Sequence, residues 1–236
     1  MASVSSKNKI LNIGHRGACG YVAENTIESI EKAILLEVDG IEIDVFKCKS
    51  GELVLFHDQR LSNLVGRSER IEDLTLEELS KCLVKNKYSI PTLKKVLETV
   101  MPPLFINIEL KGDNTALSTS DLLYDFILKN KWQESSFLIS SFKWRELEKL
   151  RQLNKTIPIG ILIDRRKTIN DAIEFANKIN AQAIHPYYKM LNQKNVQKIK
   201  NNHFKVFTWT VNNKAEIDKI KKLNVDGIIS SYPDRI

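Results

Sequence analysis

The sequence has no apolar run long enough to cross a bilayer. Its most apolar stretch, AILLEV at 33–38, falls far short of the roughly 20 residues a membrane helix needs. The opening MASVSSKNKILNIGHRG also lacks the apolar core of about 7–15 residues that marks a secretory signal. Cysteine is scarce: Cys19, Cys48 and Cys82 are odd in number and show no C-x-x-C spacing. That excludes a disulfide framework and a thiolate zinc site, and a reducing, cytoplasmic setting is expected. No low-complexity tract, Pro/Gly/Ser-rich run or abrupt change of composition marks a linker. The 236 residues, 42% hydrophobic, are therefore read as one domain over 1–236 with a sizeable core. Concentrated charge of one sign is missing too. The formal net charge is +7, but the lysines alternate with acids on putative helix faces, as in SIEKA and ELEKL. This excludes an evident nucleic-acid surface, while a positive field would still attract a small anionic substrate.

What the sequence does have is alternation. Apolar runs at 10–14, 40–46, 104–110, 137–140, 157–163, 183–185, 205–210 and 227–229 read as strands. Helical patterns at 26–36, 92–100, 120–129, 143–153, 169–178, 193–200 and 214–221 fall between them. This rhythm and length predict a TIM (β/α)8 barrel, with a doubly wound open sheet as the alternative. Few residues follow the eighth strand, so the last helix is expected to be short or missing. A small insertion, about 58–90, follows the second strand region and contains one short helical pattern, EDLTLEEL.

Period-two alternation sends Glu42 and Asp44 of GIEIDVF to one face, and Asn107, Glu109 and Lys111 of LFINIELKG to one face. In a barrel that face is the interior, and Glu42, Asp44 and Glu109 converge at its mouth. Converging carboxylates need a counter-charge, supplied either by ion pairs with Lys111 and its like or by a divalent cation. All-oxygen ligation favours one Mg²⁺ or Ca²⁺, with Mn²⁺ as a further choice, over zinc. His15 and His57 each end an apolar run at the same mouth, and their ordinary pKa suits one to accept and the other to donate a proton. Arg16 and Lys111 would meet a phosphate. Trp209 shares a strand face with Phe207 and is either core or a wall for substrate. His185 is expected to line the pocket, and His203, in KNNHF, to face solvent.

In order, GHRGACGYVAENTIESIEKA, VDGIEIDVFKCKSGELVLFHD, IPTL, INIELKG, FTWTVN and GIISSYPD resemble the landmarks of the glycerophosphodiester phosphodiesterases, from Ile13 to Asp234. The resemblance implies a TIM barrel that hydrolyses a glycerophosphodiester to sn-glycerol 3-phosphate and an alcohol. It matches His15 and His57 to the acid/base pair, Glu42, Asp44 and Glu109 to the metal ligands, Arg16 and Lys111 to the phosphate contacts, and Trp209 to the substrate aromatic. Three departures stand out. The family's usual P-E-N-T reads Ala23-Glu24-Asn25-Thr26, its acidic turn residue is Ser50, and the final helix is cut short. Two alternatives follow. One is a lysophospholipase D-like or phospholipase-like lipid enzyme, favoured by an aromatic-rich mouth and disfavoured by the polar insertion. The other is a silent glycerophosphodiester-binding module, disfavoured by the intact histidines and carboxylates.

Overall fold

A computed structural model describes residues 9–129 and 132–236. The apolar runs form eight parallel strands: β1 (Leu11–His15), β2 (Gly40–Lys47), β3 (Phe105–Leu110), β4 (Phe137–Ser141), β5 (Ile159–Ile163), β6 (Ala183–Pro186), β7 (Lys205–Thr208) and β8 (Gly227–Ser230). Each pairs with the next in chain order, and β1 pairs with both β2 and β8, so the sheet closes on itself. The helices between them are α1 (Ile27–Leu35), α2 (Leu93–Thr99), α3 (Thr115–Lys129), α4 (Trp144–Leu153), α5 (Ile169–Lys178), α6 (Gln193–Asn201) and α7 (Lys214–Lys221). The architecture is a TIM barrel, and the open doubly wound sheet is excluded by closure.

Alternation divides the core in two. Outward-facing Ile41, Ile43, Val45, Ile106, Ile108, Ile139 and Ile161 pack beneath the helices, against residues such as Ile30, Leu123, Leu147 and Ile217. Inward-facing Ile13, Leu138, Ala183, Phe207 and Ile229 fill the barrel floor, with Leu11 and Phe105 against them. Polar side chains close the helix starts at the mouth: Thr26, Thr92, Thr168, Asn192 and Asn213 each accept a backbone N–H of the first turn. Each such cap contributes about 1 kcal/mol.

The start of α3 and the end of β7 differ from the sequence reading by more than a residue, and for identifiable reasons. Helix α3 begins at Thr115 rather than 120, because Glu146 of α4 accepts the Ala116 N–H at 3.1 Å and anchors a Ser/Thr-rich start that local propensity disfavours. Strand β7 stops at Thr208, beyond which Trp209 leaves the ladder for a single bridge to Tyr187. After β8 the chain makes a 3₁₀ turn, Pro233–Arg235, in keeping with the short or missing last helix expected from the sequence. A short strand at Leu53–Leu55 runs antiparallel to β2 just before the insertion, which holds short helices at Ser62–Val65 and Leu76–Ser80 and an unanticipated hairpin pairing Leu83–Val84 with Tyr88–Ser89. The insertion's Leu61, Ile71 and Leu79 are buried together with Phe46 of β2 and with Val54 and Phe56. Among the described residues, no helix is long and apolar enough to cross a membrane.

Candidate active site

The inward faces of β1, β2 and β3 end in His15, Glu42, Asp44 and Glu109, with Lys111 just beyond. Strand register sets them side by side: His15 lies opposite Glu42, and Asp44 opposite Glu109. The three carboxylates are buried, and one oxygen from each lies within 4.8 Å of the others. Lys111 Nζ is 2.9 Å from Glu109 Oε1 and 3.7 Å from Asp44 Oδ1. Arg16 Nε is 3.2 Å from Asp44 Oδ2, and its Nη1 donates to Glu24 Oε1 at 2.7 Å.

The turn after β1 explains how these groups are aimed. Arg16 and Gly17 both hold left-handed φ, at 49° and 83°, which directs the Arg16 N–H at Glu42 Oε2, 3.1 Å away. Asn25, also left-handed at 55°, donates from Nδ2 to Asp44 Oδ2 and accepts the Asp44 N–H at Oδ1. Asn tolerates that conformation better than most residues. In the run Glu24-Asn25-Thr26, the first residue therefore holds Arg16, the second holds Asp44, and the third caps α1.

Electrostatics follow from burial and like charge. Burial, with Asp44 and Glu109, pushes the Glu42 carboxyl well above its ordinary range. Glu109 is raised to about 7 by burial and by Asp44, against the pull of Lys111. Asp44 is held low, because Lys111, Arg16 and His57 outweigh its burial. Burial would lower Lys111 and Arg16, but the surrounding carboxylates more than offset it and raise both. Two cations thus face three carboxylates, and the strain falls on Glu42 and Glu109. An all-carboxylate set, buried, convergent and one positive charge short, fits a hard divalent cation.

His15 has Nε2 3.9 Å from Glu42 Oε2, and Nδ1 3.2 Å from Ser231 Oγ and 3.4 Å from Cys19 Sγ. Burial, aided by Arg16, lowers its pKa to about 3, so the ring is neutral at pH 7. His57 Nδ1 is 2.7 Å from Asp58 Oδ1, and Asn63 Nδ2 donates to the other carboxylate oxygen. Trp209 donates from Nε1 to the His185 carbonyl at 2.8 Å, and its ring stands edge-on to Phe142 at 5.3 Å and tilted against Tyr187 at 5.5 Å.

The glycerophosphoryl diester phosphodiesterase family model matches residues 15–235. The chain belongs to this family. A glycerophosphodiester phosphodiesterase of Caldanaerobacter subterraneus subsp. tengcongensis is 31% identical over 236 residues, which cover 97% of this chain and 96% of the relative. Among solved structures, an Oleispira antarctica phosphodiesterase in complex with the product sn-glycerol-3-phosphate superposes with a TM-score of 0.85 at 26% identity, covering 95% of this chain and 94% of that one. A glycerophosphodiester phosphodiesterase from Thermotoga maritima gives 0.80 at 28% identity, covering 96% and 97%. With its family, the chain is a phosphodiesterase of glycerophosphodiesters.

In this phosphodiesterase, the mouth gathers His15, Arg16, Glu42, Asp44, Glu109 and Lys111 into one network of contacts. His57 is near enough for its charge to act on His15 and Asp44. Trp209 lines a neighbouring cleft. His185 departs from expectation. It is fully buried inside the barrel, over Gly160 and against Phe207, one residue below the mouth on β6, and does not line the pocket. His203 is exposed. Asp58, Ser231, Cys19, Asn25 and Phe142 contact the site without having been singled out. Asp58, adjacent to His57, and Asn25, within Glu24-Asn25-Thr26, carried a local signal.

Proposed function

We propose that the chain hydrolyses glycerophosphodiesters to sn-glycerol 3-phosphate and an alcohol, with His15 and His57 as the acid/base pair, acting as one barrel domain in the cytoplasm. The observation that carries this reading is the buried triad Glu42, Asp44 and Glu109, interleaved with Arg16 and Lys111 and bordered by a neutral His15. The product-bound Oleispira relative supports the choice of product. Glu42, Asp44 and Glu109 would hold one divalent cation, Mg²⁺ or Ca²⁺ with Mn²⁺ as a further choice, which when bound supplies positive charge for the phosphoryl oxygens.

The remaining work falls to the side chains. Arg16 and Lys111 hold and orient two phosphate oxygens, the first as a fork and the second as a point charge. The glycerol 2-hydroxyl, already tethered to the phosphate, attacks phosphorus with far less entropic cost than free water. One histidine takes the hydroxyl proton, the P–O bond to the alcohol breaks, and the other histidine protonates the departing oxygen. Water then adds to the cyclic phosphate with the two histidines in exchanged roles, and the P–O bond to the 2-oxygen breaks to leave the 3-phosphate. Asp58 keeps the His57 ring oriented through Nδ1, and Ser231 does the same for His15.

Three aromatic rings, Phe142, Tyr187 and Trp209, stand at the mouth, the feature that would favour a lipid substrate. They are bordered by charged Arg165, Arg166 and Lys189, which an acyl chain would have to desolvate, so a small polar diester is the better fit. An analogue lacking the 2-hydroxyl tests the path. It should bind yet turn over at least roughly 10²-fold more slowly, the scale of a lost tethered nucleophile. Cleavage at the ordinary rate would exclude the cyclic route.

A further inference from the structure

Beside the carboxylate cluster lies a cleft of about 450 Å³ lined by Asp164, Arg165, Arg166, Tyr187, Lys189 and Trp209. A run of rings links it to the candidate site. Lys111 Nζ is 6.0 Å from the Phe142 ring centre, Phe142 is 5.3 Å from Trp209, Trp209 is 5.5 Å from Tyr187, and the Arg165 guanidinium stands 5.8 Å over Tyr187. A phosphodiester held by Lys111 therefore has an aromatic wall along which to extend its alcohol.

The charge at the far end is unbalanced. Asp164 is taken up by Arg166, which donates to both of its carboxylate oxygens from Nε, at 3.1 and 2.9 Å. Among the described residues, no carboxylate lies within ion-pair distance of Arg165 or Lys189, nor of Lys167, which stands 4.3 Å over the Trp144 ring at the edge of an adjoining cleft. Elsewhere on this surface, lysines such as Lys143, Lys149 and Lys178 do have acidic partners. Two uncompensated cations facing a concave wall of Tyr187 and Trp209 make a receptor for an anion on a short polar arm. They repel a quaternary or primary ammonium that the aromatic rings alone would attract.

We propose that this cleft is the subsite for the leaving alcohol and that it selects glycerophosphodiesters whose alcohol bears a further anionic group, such as a phosphate, over neutral or cationic ones. The proposal rests on the hydrolytic reading above and adds the substrate class to it. Arg165 and Lys189 act as specificity residues, remote from the bonds that break.

The test compares kcat/KM for three soluble diesters: glycerophosphoglycerol, the same compound with a phosphate on its terminal hydroxyl, and glycerophosphocholine. The wild-type chain should favour the phosphorylated diester over its neutral parent by roughly 10-fold or more, the scale of a charge-assisted contact. That ratio should fall toward one in an Arg165→Ala/Lys189→Ala variant. Arg165→Glu should shift preference toward glycerophosphocholine. Both side chains are exposed, so the variants keep the barrel, as circular dichroism would verify. Equal rates for all three diesters, or a ratio untouched by the variants, would overturn the subsite while leaving the phosphodiesterase reading intact. No turnover of any diester by wild type would overturn both. If the double variant instead loses turnover of a lysophospholipid in vesicles while keeping its selectivity among soluble diesters, the cations serve a lipid surface and the proposal fails.

Discussion

His185 shows how one side chain can change role between sequence and structure. As a histidine ending a strand it resembles His15, yet its ring is enclosed in the barrel, and neither ring nitrogen has a hydrogen-bonding partner among the described residues. Burial lowers its pKa from 6.5 to about 3. The unfolded chain thus takes up a proton that the folded chain refuses, so stability is full above pH 6.5 and falls as pH drops from there toward 3, by up to about 1.4 kcal/mol per unit. A His185→Gln variant should show a flatter loss of Tm between pH 6.5 and 4 than wild type. Parallel curves would show that the ring's burial does not control acid stability. What separates the two histidines is depth along a strand, and a single sequence with no known register does not give it. By contrast, Glu42, Asp44 and Glu109 were legible because period two fixes which face they share. The contacts of Asn25 with Asp44 and of Ser231 with His15 were not, since the first depends on a left-handed turn and the second spans 216 residues of chain.

At the scale of strands, the interior depends on pairing a large residue with a space. A methyl group on Gly160 of β5 would lie 2.4 Å from His185 Nε2. Inside a closed barrel neither backbone can retreat, so Gly160→Ala should destabilise the protein by about 1–3 kcal/mol. The clash is specific to the ring. In a double variant with His185→Ala, the combined loss should therefore be smaller than the sum of the two single losses, as a double-mutant cycle in denaturant would measure. Additive losses would mean that the two positions do not share space. Strand and helix order was readable because each strand here is a compact apolar run and each helix has its own stripe. Boundaries moved where tertiary contacts override propensity, as where Glu146 draws the start of α3 back to Thr115. The hairpin within the insertion was invisible for a related reason: two-residue strands at Leu83–Val84 and Tyr88–Ser89 carry too little periodicity to detect.

For the molecule as a whole, closure of eight strands gathers charge at one mouth. It brings the ends of β1, β2 and β3 close enough for three carboxylates to lose their water together, while the insertion packs in a separate cluster against Phe46 of β2. The same closure turns scattered positive charge into a directed field, since Arg16 and Lys111 lie at the centre and Arg165 and Lys189 along one wall. The most direct measurement is turnover of a glycerophosphodiester by metal-stripped protein, before and after Mg²⁺, Ca²⁺ or Mn²⁺ is added, with calorimetric titration of the same ions. Stripped protein should be inactive, at least one ion should restore turnover, and Glu42→Gln should weaken ion binding and turnover together. Full activity in chelator, or ion binding undisturbed by loss of the Glu42 charge, would contradict the assignment of the carboxylate cluster as the metal centre of this phosphodiesterase.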